Sequence, residues 1–82
     1  MEKISEQGVL CAIENALELD SGSVGLGATA KDLEGWDSLG HLSILAALDL
    51  LFGGKVTEIR EITTADSVPK ILVALRQHSL LE

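Results

Sequence analysis

Aromatic residues are nearly missing from this chain of 82 residues: it has no tyrosine, one tryptophan (Trp36) and one phenylalanine (Phe52). The interior must therefore be almost wholly aliphatic, and such interiors repack easily, losing rigidity before stability. Cysteine is equally scarce. Cys11 stands alone, which excludes an internal disulfide and a cysteine-based zinc site. Basic residues are few, 6 against 13 acidic ones, for a net charge of −7. Nucleic acid is bound by clustered Lys and Arg, so it is not an expected partner. No stretch approaches the roughly 20 apolar residues of a membrane span, and the opening Met1-Glu2-Lys3-Ile4-Ser5-Glu6 lacks the apolar run of a secretory signal. No membrane association and a cytoplasmic location are expected. Period-two alternation is nowhere sustained, which leaves no expected strands.

The hydrophobic fraction, 46%, is ample for a core and argues against disorder. The length fits one small domain over residues 1–82. Leu81-Glu82 match an expression-vector remnant and are given no weight. The acidic balance keeps a small domain soluble, or steers its encounter with partners that have basic rims.

Helical spacing organises the rest. A first helix is expected from near Ser5 to about Leu19, with Val9, Ala12, Ile13, Ala16 and Leu17 as its apolar stripe. Cys11 lies about 200° from Val9 on that wheel, on a partly exposed face without a basic neighbour to activate it. Residues 20–37 form a long connection containing Gly22, Gly25, Gly27 and Gly35. Val24, Leu26 and Leu33 are expected to pin it, with Trp36 as the main anchor and its indole N–H reaching water or a carbonyl.

The second helix is expected from Asp37 or Ser38 to Phe52, capped by Asp37 and stopped by Gly53-Gly54. Leu39, Leu42, Leu45, Ala46 and Phe52 fit one stripe, while Ile44, Leu48, Leu50 and Leu51 add apolar surface elsewhere. A helix apolar nearly all round is central, or offers one side to a partner. A short third helix fits Thr57–Ile62, with Ile59 and Ile62 facing in. A fourth fits Val68 to about His78, with Ser67 as cap, Pro69 in the first turn, and Val68, Ile71, Leu72 and Leu75 as the buried stripe. Arg76 and His78 sit near its C-terminal end, where cations are favoured. The expected class is all-α: a four-helix bundle with a long first loop and a short third helix.

Most motifs dissolve on inspection. Gly25-Leu26-Gly27-Ala28-Thr29-Ala30 has the glycine spacing of a dinucleotide loop, but no strand precedes it. Gly54-Lys55 lacks the upstream glycine of a P-loop, since Asp49 stands there. Asp20-Ser21-Gly22-Ser23-Val24-Gly25 lacks the alternating acids of a calcium loop. There is no Gly-x-Ser-x-Gly and no nucleophile paired with a histidine as in a triad, so neither an enzyme nor a metal site is expected.

One run does not dissolve: Trp36-Asp37-Ser38-Leu39-Gly40-His41-Leu42. It sets a serine at the start of the most apolar helix. A helix start has free N–H groups and the positive end of the dipole, and favours an attached anion such as a phosphate. His41, one turn after Ser38, is a candidate for contact with that phosphate, though a surface histidine is the commoner case.

Asp37-Ser38-Leu39 resembles the attachment site of acyl carrier proteins. The resemblance extends to the first-helix stripe of Val9, Ala12, Ile13 and Leu17, to the run Asp32–Leu39, to Phe52, and to Ser67-Val68 with Ile71, Leu72 and Leu75. It implies a bundle of acyl-carrier type and no catalysis by the chain itself. It also implies covalent 4′-phosphopantetheine on Ser38, transferred from coenzyme A by a phosphopantetheinyl transferase. The arm's thiol would hold acyl intermediates as thioesters for acyl-activating and acyl-transferring enzymes or ketosynthases of fatty acid or polyketide biosynthesis. Such partners bind transiently to a monomer. The resemblance marks Asp37, Leu39, Ala46 and Asp49 for partner recognition. It marks Leu42, Leu45, Ala46, Ile59 and Ile62 as the lining for an acyl chain, residues that core packing explains equally well. The chain departs from the fatty-acid-synthesis pattern in having Gly40, His41 and Ser43 after Asp-Ser-Leu, with Asp49 the only acid after Asp37 in that helix. A specialised acyl pathway with its own partners is the expectation. A peptidyl or aminoacyl carrier, or a helical adaptor that binds through the second helix, are the alternatives.

Overall fold

The computed structural model describes residues 4–20, 22–33 and 35–81. These form four helices: α1 (Glu6–Ala16), α2 (Ser38–Leu51), α3 (Arg60–Thr63) and α4 (Val68–Gln77). Among the described residues there is no strand, only two isolated bridges, Ile4 with Leu81 and Thr29 with Ser67. The protein is thus small and all-helical. None of its described helices is long and apolar enough to cross a membrane.

Three helices start on side-chain caps. The Ser5 hydroxyl accepts from Gly8 N–H, the Asp37 carboxylate from Gly40 N–H, and the Ser67 hydroxyl from Lys70 N–H. Each cap satisfies an amide that has no partner inside the helix. Helix α3 has no such cap.

Three helices also end alike. After α1 the chain turns left-handed at Glu18 (φ 58°), Leu19 N–H returns to the Glu14 carbonyl, and Glu18 N–H to that of Asn15. After α4 the same turn occurs at Ser79 (φ 59°), with Leu80 N–H on Leu75 and Ser79 N–H on Arg76. After α2 it occurs at Gly53, with Gly54 N–H on Asp49. This closure satisfies the last carbonyls of a helix and is commonest at glycine. The Glu18 turn is why α1 stops at Ala16 and not at Leu19.

The core is aliphatic, as the composition requires. Val9 and Ile13 of α1, Ile44 and Leu48 of α2, Ile62 of α3, and Val68, Ile71 and Leu75 of α4 are wholly buried. The α4 stripe lies where its spacing put it. The stripe expected for α2 holds only at Leu45 and Phe52: Leu39 (76% exposed), Leu42 (60%) and Ala46 face solvent, and Ile44 and Leu48 complete the buried face. Because α2 is apolar nearly all round, its own pattern does not select a face; packing against α1 and α3 does. Helix α3 begins three residues later than Thr57, because the Asp49 carboxylate takes the Val56 and Thr57 amides (3.1 and 3.3 Å) and turns that stretch. Leu81 is 4% exposed and bridged to Ile4, so it belongs to the packed fold; Glu82 lies outside the described residues.

The first connection is tied down at several points. Val24 is buried in the core and Leu33 packs partly against it, whereas Leu26 is 52% exposed and pins nothing. Ala30 N–H donates to the Asp66 carbonyl and Val68 N–H to that of Ala28, which fastens the loop to the start of α4. The buried Glu14 carboxylate accepts from Gly22 N–H (2.8 Å) and Val24 N–H (3.1 Å), fastening it to α1. Replacing Glu14 by alanine leaves the buried Val24 amide without an acceptor, while the exposed Gly22 amide can turn to solvent. Urea unfolding of Glu14→Ala should show a loss of about 2–3 kcal/mol, and Glu14→Gln, which keeps one oxygen acceptor, a smaller one.

Candidate functional site

Ser38 occupies the first turn of α2, directly after the capping residue, and its side chain is exposed. The Asp37 carboxylate is directed back onto Gly40 N–H at 2.9 Å, and His41 N–H closes on the Asp37 carbonyl at 2.8 Å. The turn that carries Ser38 is therefore held from within, and the Ser38 residue itself is exposed.

The loop reaches this turn through a close seam. A Cβ at Gly40 would stand 1.8 Å from the Gly35 carbonyl oxygen and 3.0 Å from Leu17 Cδ2. Gly35 itself has φ 89°, a conformation that favours glycine. Two glycines thus let the loop lie directly on the first turn of α2. Trp36 comes next, 7% exposed, as the anchor its size suggested. Its indole N–H donates neither to water nor to a carbonyl but to His41 Nδ1, at 3.0 Å.

His41 is half-buried on the inward side of α2 and is not a surface group. Its Nε2 lies 3.1 Å from the carbonyl oxygens of both Ile62 and Thr63. An indole nitrogen only donates, so Nδ1 is bare and the proton resides on Nε2, which donates to those carbonyls. Both ring nitrogens are engaged. Neither remains to contact a phosphate on Ser38 or to take its proton, so Ser38 and His41 do not form a nucleophile–base pair here.

An open groove of about 460 Å³ lies beside Ser38, lined by Trp36, His41 and Leu42 on one side and Thr63 to Asp66 on the other. Of the five residues expected to line an acyl chain, Leu42 alone borders it. Leu45, Ile59 and Ile62 are buried in the core, and Ala46 is exposed further along α2. The residues marked for recognition also divide. Leu39 and Ala46 are exposed, and Asp37 is exposed while capping. Asp49 is partly buried, its Oδ1 holding the Val56 and Thr57 amides. Leu50, 88% exposed, joins Leu39, Leu42 and Ala46 on one outward stripe of α2, at spacings of three, four and four residues. Cys11 is exposed, as its wheel position indicated. Among the described residues no cluster of potential metal ligands is present.

The structural parts played by three of these residues escaped the sequence reading. His41 stands three and seven residues before Ile44 and Leu48, the spacing that places it on their face. Glu14 falls between Ile13 and Leu17 on the inward side of α1, where a carboxylate needs donors. Gly40 carried a signal too, since glycine inside a helix is unfavourable without a packing reason.

Comparison with known proteins gives no match: no family model fits the chain, and no curated protein or solved structure matches it.

The seam and the groove's rim can each be tested. In an ordinary helix glycine to alanine stabilises by about 0.8–1 kcal/mol. Here Gly40→Ala should instead destabilise by about 1–3 kcal/mol, read by thermal unfolding, with red-shifted Trp36 emission as the loop is displaced. At the rim, the Lys70 ammonium bonded to Asp66 (2.8 Å) holds that carboxyl below the ordinary carboxylate range, first through the hydrogen bond and then through its charge. The pair's stabilisation is present at neutral pH and is lost as pH falls through Asp66's lowered value. Both side chains are largely exposed, so the effect on stability is small. Lys70→Met should return Asp66 toward its ordinary titration, as followed by NMR of its carboxyl carbon.

Proposed function

We propose that this protein is an acyl carrier protein of the four-helix-bundle type, with Ser38 as the attachment point for 4′-phosphopantetheine. The observation that carries the reading is the Asp37-Ser38-Leu39 turn. An exposed serine hydroxyl opens an apolar helix, the preceding aspartate caps that helix, and His41, one turn on, has both ring nitrogens engaged elsewhere. Such a hydroxyl suits modification by another enzyme better than catalysis of its own.

In the transfer, the Ser38 oxygen attacks the phosphate that bears pantetheine in coenzyme A. A phosphoester bond forms, the pyrophosphate bond breaks, and 3′,5′-ADP departs. The serine proton passes to a base of the phosphopantetheinyl transferase. Once attached, the group supplies a thiol that holds acyl intermediates as thioesters. Tethering raises the effective concentration of the carried group at each docked active site. The chain itself is not an enzyme in this reading, and it works as a cytoplasmic monomer with transient partners.

The outward stripe of Leu39, Leu42, Ala46 and Leu50 supports docking through α2 by apolar contact beside Ser38. Asp37, the exposed N-cap of α2, is the acid nearest to Ser38 in sequence. Asp49, bonded to the 56–57 amides, takes a structural part. A docking face with so little acid fits the partners of a specialised acyl pathway, within fatty acid or polyketide chemistry, better than enzymes that read an acidic helix. The same stripe also favours a second reading, a helical adaptor that holds a partner without any covalent group.

Intact-mass measurement separates the two. The purified chain is incubated with coenzyme A and a promiscuous phosphopantetheinyl transferase. The carrier reading expects the mass of one phosphopantetheinyl group to be added, and the addition to be lost in Ser38→Ala. An unmodified chain with several transferases, each active on a control carrier, would overturn it in favour of the adaptor.

A further inference from the structure

His41 lies where the loop, α2 and α3 meet. On one side it accepts the Trp36 indole N–H; on the other it donates to the Ile62 and Thr63 carbonyls. The two rings are nearly parallel, 12° apart with centroids separated by 6.1 Å. The result is a relay of hydrogen bonds running from the loop through α2 to α3.

Helix α3 needs such support. It spans four residues, Arg60–Thr63, and its N-terminal side has no side-chain cap. A single helical turn is not stable alone, because nucleation costs more than one turn returns. Its own closures are local: Thr63 N–H on the Ile59 carbonyl, Thr64 N–H on Arg60, and both threonine hydroxyls donating to Arg60. It packs against α4, where Glu61 Oε1 lies 3.8 Å from His78 Nε2, and on the side of α2 it is attached by the burial of Ile59 and Ile62 together with the His41 N–H on its last carbonyls. Those carbonyls belong to the end that a helix leaves unsatisfied.

The elements the relay joins are also the walls of the groove beside Ser38. Trp36, His41 and Leu42 form one side and Thr63, Thr64, Ala65 and Asp66 the other. We infer that His41 is a positioning residue: the Trp36–His41 relay seats α3 against α2 and so sets the width of the groove in which a group attached to Ser38 rests. The last clause depends on the carrier reading; the relay itself does not. Thr63, Thr64 and the Asp66 carboxylate, the last bonded to the Lys70 ammonium, form the far wall, so the groove offers a resting chain mostly uncharged polar groups facing Trp36 and Leu42.

Amide hydrogen exchange by NMR, on the full chain with nothing attached, tests the relay. In His41→Leu the Thr63, Thr64 and Ala65 amides should exchange about tenfold faster, while α1 and α4 keep their rates. His41→Gln, which retains one acceptor and one donor, should recover much of that protection, which simple filling of space would not. Unchanged exchange at 63–65 in His41→Leu, or glutamine no better than leucine, overturns the proposal. Should His41→Leu loosen every helix together, Trp36→Phe decides, since it removes the indole N–H and keeps an aromatic ring in place. Acceleration confined to 63–65 then supports the relay, and none overturns it. The groove is tested separately, by attaching phosphopantetheine to Ser38 and following the amide shifts of residues 63–66. Modification without shifts there removes the groove as resting place and leaves the carrier reading intact. Failure of modification removes the carrier reading and leaves the exchange result standing.

Discussion

The Gly35 carbonyl rests on the first turn of α2 at a distance that no side chain at position 40 would permit. This contact between two glycines governs the path of residues 36–41. It brings Trp36 down into the core and places Asp37 where its carboxylate meets the Gly40 amide. Ser38 is then left on the outside of a turn that is already satisfied internally. A loop without regular structure fixes the place of an exposed side chain only when it is itself fastened. It serves here because its other fastenings are distributed. Glu14 holds its beginning to α1, the bridge to Ser67 holds its middle to α4, and Trp36 holds its end to α2 through His41.

The fold was legible in the sequence where a residue type has one strong local preference. Ser5, Asp37 and Ser67 each act as the helix cap their side chains suit, and Gly53 ends α2. The buried stripe of α4, in a helix with a clear polar side, emerged complete. Legibility failed where tertiary contacts override local preference. Glu18 takes a left-handed turn that glycine usually supplies, so nothing in its identity marked the end of α1. Asp49 claims the amides of Val56 and Thr57 from a distance, so α3 is shorter than its apolar spacing implied.

The site divides along the same line. The Asp37-Ser38-Leu39 turn could be read directly, because a cap and an exposed hydroxyl are local properties. The inward face of α2 could not, because leucines on every side of the helix give no preferred direction. Leu42 and Ala46 therefore stand outside, Leu45, Ile59 and Ile62 fill the core, and the open space near Ser38 lies elsewhere, between Trp36 and α3. His41 illustrates the cost of judging a residue by type. A histidine near a helix start invites a phosphate reading, yet its ring is occupied on both sides by neighbours distant enough in sequence to escape local inspection.

These features fit one economy of design. A small aliphatic domain with few aromatic rings presents an accessible hydroxyl, gives the adjoining helix an apolar outward stripe, and secures both by hydrogen bonds to a loop. The seam between that loop and α2 holds the arrangement together, and solution NMR of the unmodified protein reaches it most directly. The Gly40 α-proton that faces the Gly35 carbonyl is expected to resonate downfield of its ordinary position, with a Trp36 indole proton protected from exchange. An ordinary Gly40 α-proton shift, with the indole proton exchanging as freely as in an exposed loop, would contradict such a seam.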